Sequence, residues 1–330
     1  ERPTGEIFAG VGTGTEGSSF SFGVKENNYL GRGVKVDSNL NVSDERIKGK
    51  FVVSNPNYKN SDKNLDFSLE ATSIDRLGTS GYKSNVTGFS LGTKFEYLDD
   101  FEVGLSSRNI IENISVDSSA SARQKKQDGN YFDTFIGLDF FYDKRNQKYQ
   151  TTSGFFSNYN LNLPMISDTN TLTSAYNYKI FKELYENNVS TFSFLLKGAS
   201  SLSGDDIKLS ERLYISGRNL RGFESGKIGP KDGSDYIGGN YVSSMNATTT
   251  MPFILENVQN VDIVMFADAA NIWGVDYDSS LDNSGIRSSI GIGLDWLTPV
   301  GPLTFSFAQP ITKEPSDIEE TFRFNIGTSF

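Results

Sequence analysis

A two-residue alternation of apolar and polar side chains runs through this chain almost end to end, and few folds can accommodate it. The last nine residues show the pattern cleanly. Phe322, Phe324, Ile326, Thr328 and Phe330 fall on one face of an extended strand and Arg323, Asn325, Gly327 and Ser329 on the other, because successive side chains point to opposite faces. A soluble sandwich could also end on a half-buried strand, so the pattern matters because it recurs. From Phe132 to Tyr142 the even positions are Phe, Thr, Ile, Leu, Phe and Tyr. Eleven residues at ~3.3 Å rise, tilted by ~45°, cover about 25 Å of height, the lipid-facing band of an outer-membrane barrel. Ile290, Ile292, Leu294 and Trp296 alternate with Ser289, Gly291, Gly293 and Asp295, and Leu303, Phe305 and Phe307 with Thr304, Ser306 and Ala308. Small or polar residues opposite apolar ones suit a wet interior.

The alternation defines about sixteen strands, near 5–14, 17–27, 33–43, 46–55, 64–75, 83–96, 100–114, 131–143, 152–163, 170–182, 187–200, 240–251, 259–272, 285–297, 301–310 and 320–330. An even number returns both ends to one side of a membrane. The longer connectors, 115–130, 201–239, 273–284 and 311–319, all follow odd-numbered strands and are expected to be the outer loops. Turn signals such as YLGRG at 29–33, NPNYKNSDKN at 55–64, YLDD at 97–100 and TPVGP at 298–302 separate many of the strands. The expected fold is therefore all-β: one transmembrane, antiparallel, sixteen-stranded barrel over residues 1–330. A propeller or a large soluble barrel is the competing reading, and a sheet of that size should show repeat punctuation. No fixed-period repeat is found.

Composition agrees with a membrane barrel. Hydrophobic residues are only 36% of the chain, yet aromatics reach 13%, with 25 Phe and 15 Tyr against 2 Trp. This is little aliphatic mass for a soluble core, whereas a barrel between lipid and water needs only every second residue apolar. The run Val261 to Ala270 is interrupted by Asp262 and Asp268, and nothing approaches the ~20 residues a spanning helix requires. No basic-then-apolar leader opens the chain, and its start at Glu1 runs almost directly into a strand, which favours an excised fragment. Histidine and cysteine are absent, which removes imidazole acid–base chemistry, thiol nucleophiles, zinc sites and disulfides. No catalytic residue, metal site or cofactor is expected. A net charge of −10 argues against a nucleic-acid partner.

The connector 201–239 is longer than the ~12–15 residues beyond which loops are usually functional or disordered. Its centre, LYISGRNLRGFESGKIG from Leu213 to Gly229, mixes apolar residues with glycines and two arginines. Those apolar residues need burial, and a barrel offers its inner wall. An Arg221 carried inside would need a carboxylate or several carbonyls. Parity on the strand VDIVMFADAANIWG points Asp262, Phe266 and Asp268 inward. The plainer alternative is a solvated loop arginine.

LRGF at 220–223, FADAANIW at 266–273, LDWLTPVGPLTFSFAQPI at 294–311 and the final FRFNIGTSF, with YLGRG and NPNY upstream, together resemble the barrel domain of the BamA family. These are the central subunits of the bacterial outer-membrane β-barrel assembly machine, within a superfamily of assembly and translocation barrels. The resemblance implies a barrel preceded by POTRA domains absent from this chain, with the sixth outer loop tucked into the lumen. It implies that Leu220, Arg221, Gly222 and Phe223 form the loop motif and that Arg221 is bound to Asp268. A further acidic partner is usual in the family, and the matching position here is Asn246. The family inserts other barrels by pairing unfolded outer-membrane protein strands with an opened seam between its first and last strands. Here Gly5, Gly10, Gly12 and Gly14 lie on one side of that seam and Phe322, Phe324, Gly327 and Phe330 on the other. The glycines would ease bending, or would simply allow close packing in a curved wall. Expected partners are unfolded outer-membrane protein substrates, accessory assembly lipoproteins acting mainly through the missing POTRA domains, and the lipid bilayer. The alternatives are a two-partner secretion or translocation-and-assembly barrel and, further off, a passive porin. A barrel hydrolase would need a base to activate its nucleophile, which a chain without histidine does not readily supply.

Overall fold

The protein was analysed as a computed structural model that describes residues 4–254, 260–298 and 301–327. The first eight strands are β1 (Gly5–Gly14), β2 (Gly17–Tyr29), β3 (Val34–Ser43), β4 (Arg46–Asn55), β5 (Asn64–Arg76), β6 (Tyr82–Leu98), β7 (Phe101–Val116) and β8 (Gly129–Asp143). The second eight are β9 (Gly154–Ser167), β10 (Thr171–Lys182), β11 (Ser190–Ser201), β12 (Tyr241–Thr250), β13 (Val261–Trp273), β14 (Arg287–Thr298), β15 (Gly301–Thr312) and β16 (Phe322–Gly327). Each pairs with its sequence neighbours, and β1 meets β16 to close the barrel.

Register carries the alternation from strand to strand. Thr249 faces Met265, Met265 faces Ile292, Ile292 faces Phe307 and Phe307 faces Phe322. This continuous row is outward-facing, with Met265, Ile292 and Phe307 exposed, while Phe266 and Asp268 between and beside them are buried. A one-residue slip anywhere would turn a strand's apolar set toward water, so the two faces fix the register. Rings on neighbouring strands also meet, as at Tyr142 and Phe155, with centroids 5.6 Å apart, and Phe155 and Tyr178, 5.8 Å apart.

All sixteen sequence intervals contain a barrel strand, and the differences lie at their ends. β9 runs to Ser167 and β15 to Thr312, beyond the expected 163 and 310. The first extension crosses Pro164, and the second begins directly after Pro310. Pro164 and Pro310 lie where the register shifts, opposite Phe135 and Ser289, leaving Met165 and Ile311 as the extra residues. A proline cannot donate to a ladder, and a bulge lets the strand continue past one.

The buried apolar cores lie where the 202–240 connector packs against the wall. Ile215, Leu220, Phe223 and Ile228 of the connector join Val242 of β12 and Ala270 and Ile272 of β13. Leu209 joins Tyr82 of β6 and Ile114 of β7. The connector's apolar residues are thereby removed from water, at about 1.5–3 kcal/mol for each fully buried large side chain.

Candidate functional site

β13 determines the chemistry at the centre of the connector. Its two-residue period places Phe266 and Asp268 on the same inward face, and Arg221 meets both. The Arg221 Nε donates to Asp268 Oδ2 at 2.7 Å and Nη2 donates to Oδ1 at 2.7 Å. The Arg221 backbone N–H adds a third bond to Oδ2 at 3.1 Å. The guanidinium carbon sits 3.4 Å from the centroid of the Phe266 ring. A two-pronged carboxylate pairing fixes the plane of the guanidinium, and the ring face beneath it adds cation–π attraction.

The Asp268 side chain is wholly buried, so its charge depends on these partners. Asn246 on β12 does not extend to Arg221 but supports the carboxylate: its Nδ2 donates to Asp268 Oδ1 at 2.9 Å and to the Asn219 carbonyl at 2.8 Å. Thr248 Oγ1 accepts from Arg221 Nη2 at 3.4 Å. An amide thus stands where the family pattern places a second acid, and a single carboxylate balances the single guanidinium.

The neighbouring motif residues are placed by backbone geometry. Gly222 has φ of +92°, and a Cβ on it would lie 3.2 Å from the Ser289 Cβ and 3.3 Å from the Ala308 Cβ. Ser289 of β14 donates its hydroxyl to the Arg221 carbonyl. Gly222 and Phe223 then form a two-residue antiparallel ladder with Glu320 and Glu319, just before β16. The ladder is continued by Glu224 N–H to the Ile318 carbonyl at 2.9 Å and Ile318 N–H to the Lys227 carbonyl at 3.1 Å. Asp317 accepts from Arg287 Nε at 2.9 Å and Nη2 at 3.2 Å, and both side chains are fully buried. The motif is therefore bonded to β13, to β14 and to the segment leading into β16.

A second anchor lies across the barrel. The Lys208 ammonium reaches Asp133 Oδ2 of β8 at 2.6 Å, Glu112 Oε2 of β7 at 3.1 Å and Glu211 Oε1 at 3.4 Å. Lys208 is 1% exposed. Burial opposes its charge, but Glu211, Glu112 and Asp133 outweigh that and raise its pKa above the usual lysine value. Burial raises the Glu211 carboxyl, and Lys208 offsets only part of the rise. Sequence reading did not single out Lys208, because nothing local marks a lysine whose partners lie 75 and 96 positions away. The Arg287–Asp317 pair was missed for the same reason.

The seam is thin. β1 pairs with β2 along all ten of its residues. Toward β16, among the described residues, only Gly12, Thr13 and Gly14 are in register, with Gly327, Ile326 and Asn325. Gly327 has φ of +82°, and a Cβ on it would fall 2.4 Å from the Val11 carbonyl oxygen. A Cβ on Gly14 would fall 2.6 Å from the Phe324 carbonyl oxygen. Gly10 lies opposite Ser21 and Gly5 opposite Glu26, both on the β2 side. The Phe322 ring lies tilted against Phe307 with centroids 4.7 Å apart and stacks on Phe324 with centroids 6.1 Å apart. Phe330 lies outside the described residues. Among the described residues, no group of three or more His, Cys, Asp or Glu is placed to hold a metal ion.

Comparison with known proteins matches this architecture. The model of the Omp85 superfamily domain matches residues 28–330. The chain is 25% identical over 388 residues to the outer membrane protein assembly factor BamA of Neisseria meningitidis serogroup B, covering 100% of this chain and 47% of that protein. It is 26% identical over 349 residues to the assembly factor of the same name from Nitratidesulfovibrio vulgaris, covering 100% of this chain and 42% of that protein. The crystal structure of BamA from Haemophilus ducreyi lacking POTRA domains 1–3 aligns with a TM-score of 0.91 at 25% identity, over 100% of this chain and 71% of that one. The chain spans less than half the length of these two curated relatives.

Proposed function

The chain belongs to the Omp85 superfamily and is a bacterial outer-membrane β-barrel, and on that premise we propose that it is the membrane domain of a central assembly subunit that folds and inserts other outer-membrane proteins. Residues 1–330 act as one barrel domain, working with POTRA domains elsewhere in the full-length protein, and through these with accessory lipoproteins. The action is not enzymatic. It consists of offering a strand edge to an unfolded outer-membrane protein, with the 202–240 connector held in the lumen by Arg221 and Asp268.

The observation that carries this reading is the ladder between β1 and β16, three pairs long among the described residues. Unpaired backbone N–H and C=O groups in hydrocarbon cost several kcal/mol each, so an edge at membrane depth is strongly driven to acquire a partner. Seven residues of β1, Gly5 to Val11, have no register partner on the β16 side among the described residues. An incoming strand would satisfy them by β-augmentation, where main-chain bonds supply affinity and alternate side chains supply selectivity. The outward side chains Ile7 and Val11, 76% and 70% exposed, suit a strand whose partner arrives in lipid.

The test is to lock the seam. The chain has no native cysteine, so Thr13→Cys with Ile326→Cys places one pair at register partners. In the full-length protein in liposomes, oxidation of this pair is expected to stop insertion of a test barrel, and reduction to restore it. Undiminished insertion through an oxidised seam would overturn the proposal.

A further inference from the structure

We propose that Arg323 is a positioning residue that latches the seam and ties its closure to the 202–240 connector, an inference that rests on the assembly reading above. Parity on β16 turns Arg323 inward, and its guanidinium joins the β1–β2 turn, the 202–240 connector and the segment just before β16. Nη1 donates to Glu16 Oε1 in the β1–β2 turn at 2.6 Å. Nη2 donates to the carbonyl of Phe223, the last residue of the connector motif, at 3.0 Å. Nε donates to Glu320 Oε2 at 2.8 Å. The connector meets it again at Gly217, where a Cβ would lie 1.3 Å from Nη1. The guanidinium occupies space that only a glycine leaves open.

The partners divide unequally across the seam. Phe223 and Glu320 belong to the ladder that joins the connector to the segment before β16, so they stay with Arg323 if β16 swings away from β1. Glu16 belongs to the opposite lip. The pair with Glu16 is thus a charged side-chain bond that opening must break, and Glu320 keeps the guanidinium neutralised after it breaks. The Glu16 side chain is 50% exposed and that of Arg323 only 13%. A half-exposed pair is weak and sensitive to salt, as a bond that must release on each cycle needs to be. Because the same guanidinium holds the Phe223 carbonyl, displacement of the motif loosens the group that grips Glu16. The connector's position and the seam's closure are coupled at this one side chain.

The coupling is tested in the full-length protein in liposomes, with Thr13→Cys and Ile326→Cys reporting closure by the rate at which the disulfide forms. Arg323→Gln is expected to slow closed-state trapping about threefold, the scale of a partly exposed ion pair. Glu16→Gln, a change at a half-exposed turn residue that leaves the ladders intact, should do the same, and the double variant should add nothing further. Trapping in the parent should slow with added salt, and the single variants should lose that response. Gly217→Ala, which displaces Nη1 through the connector, should reproduce Arg323→Gln. Additive single effects, or unchanged trapping and salt response in Glu16→Gln, would overturn the latch. If Arg323→Gln fails to fold, Glu16→Gln and Gly217→Ala carry the same comparison. Insertion of a test barrel separates the two levels. If the oxidised seam still inserts barrels, the assembly reading fails; if the lock blocks insertion but the variants close normally, only the latch fails.

Discussion

The connector's anchorage and the seam are held by opposite kinds of bond. The anchors are buried and charged: Lys208 among three carboxylates, and Arg221 on a wholly buried Asp268. The seam is a backbone ladder, three register pairs long among the described residues, its side-chain tie reaching a half-exposed Glu16. Breaking one side of a buried pair strands a charge at several kcal/mol, whereas a half-exposed pair contributes little. On the proposed assembly function, the seam is the part expected to move. The connector is expected to stay with β13, β14 and the segment before β16 while β1 parts from β16.

The sharpest way to break that contrast is at Lys208. Lys208→Met leaves Glu112, Asp133 and Glu211 facing one another without a cation, and a loss of about 3–5 kcal/mol is expected. Urea unfolding in liposomes measures it. The sign of its pH dependence follows from the shifts. Lys208 has a raised pKa, so its contribution in the parent is fully present below the unfolded lysine pKa and is lost only in strong alkali. In the variant the burial that raises Glu211 is no longer opposed by Lys208, so protonation relieves the repulsion. The variant's deficit should shrink as the pH falls from about 8 to about 5, because a group with a raised folded-state pKa gains stability on protonation. A deficit that stays constant over this range would show that packing, not charge, holds the anchor.

A smaller effect is expected at the opposite anchor. Asp268→Ala removes the carboxylate from Arg221, but the Phe266 face and Thr248 remain within reach, and the Arg221 side chain is 18% exposed. A loss of about 2–4 kcal/mol is expected, at or below the range for a fully buried pair. The connector should lose protection against protease near Gly222 before the barrel unfolds. A structure of the variant with the connector unmoved would show that the ladder to Glu319 and Glu320 is sufficient to hold it.

The fold was legible because a barrel repeats one local rule, and each strand can be read without knowing its neighbour. Parity was equally local, so the inward faces of Phe266, Asp268 and Arg323 followed from position alone. Partnership around the lumen is not local. Lys208 lies 75 residues from Asp133 and Arg323 lies 307 from Glu16, and alternation gives the face of a side chain but not what stands opposite it. Arg221 and Asp268 could be paired from sequence only through the family resemblance. The ends of β9 and β15 were not legible because each lies past a bulge whose register depends on the partner strand.

The last comparison sets two glycines in the wall against each other. Gly327 has a positive φ, and a Cβ there meets the Val11 carbonyl oxygen at 2.4 Å. Gly49 in β4, far from the seam, lies opposite Leu40 and Ala71, and a Cβ there meets nothing within 4 Å. If β1 and β16 depend on close backbone approach, alanine should act oppositely at the two sites. Gly327→Ala should cost about 1–3 kcal/mol through a strained backbone, and should slow closure of the Thr13→Cys, Ile326→Cys pair. Gly49→Ala should be neutral or stabilise by up to about 1 kcal/mol, because a strand glycine gives up more chain entropy on folding than alanine does. Equal effects of the two changes on seam closure would mean that general wall stiffness controls the seam. A loss confined to Gly327→Ala assigns closure to the contact between Gly327 and Val11.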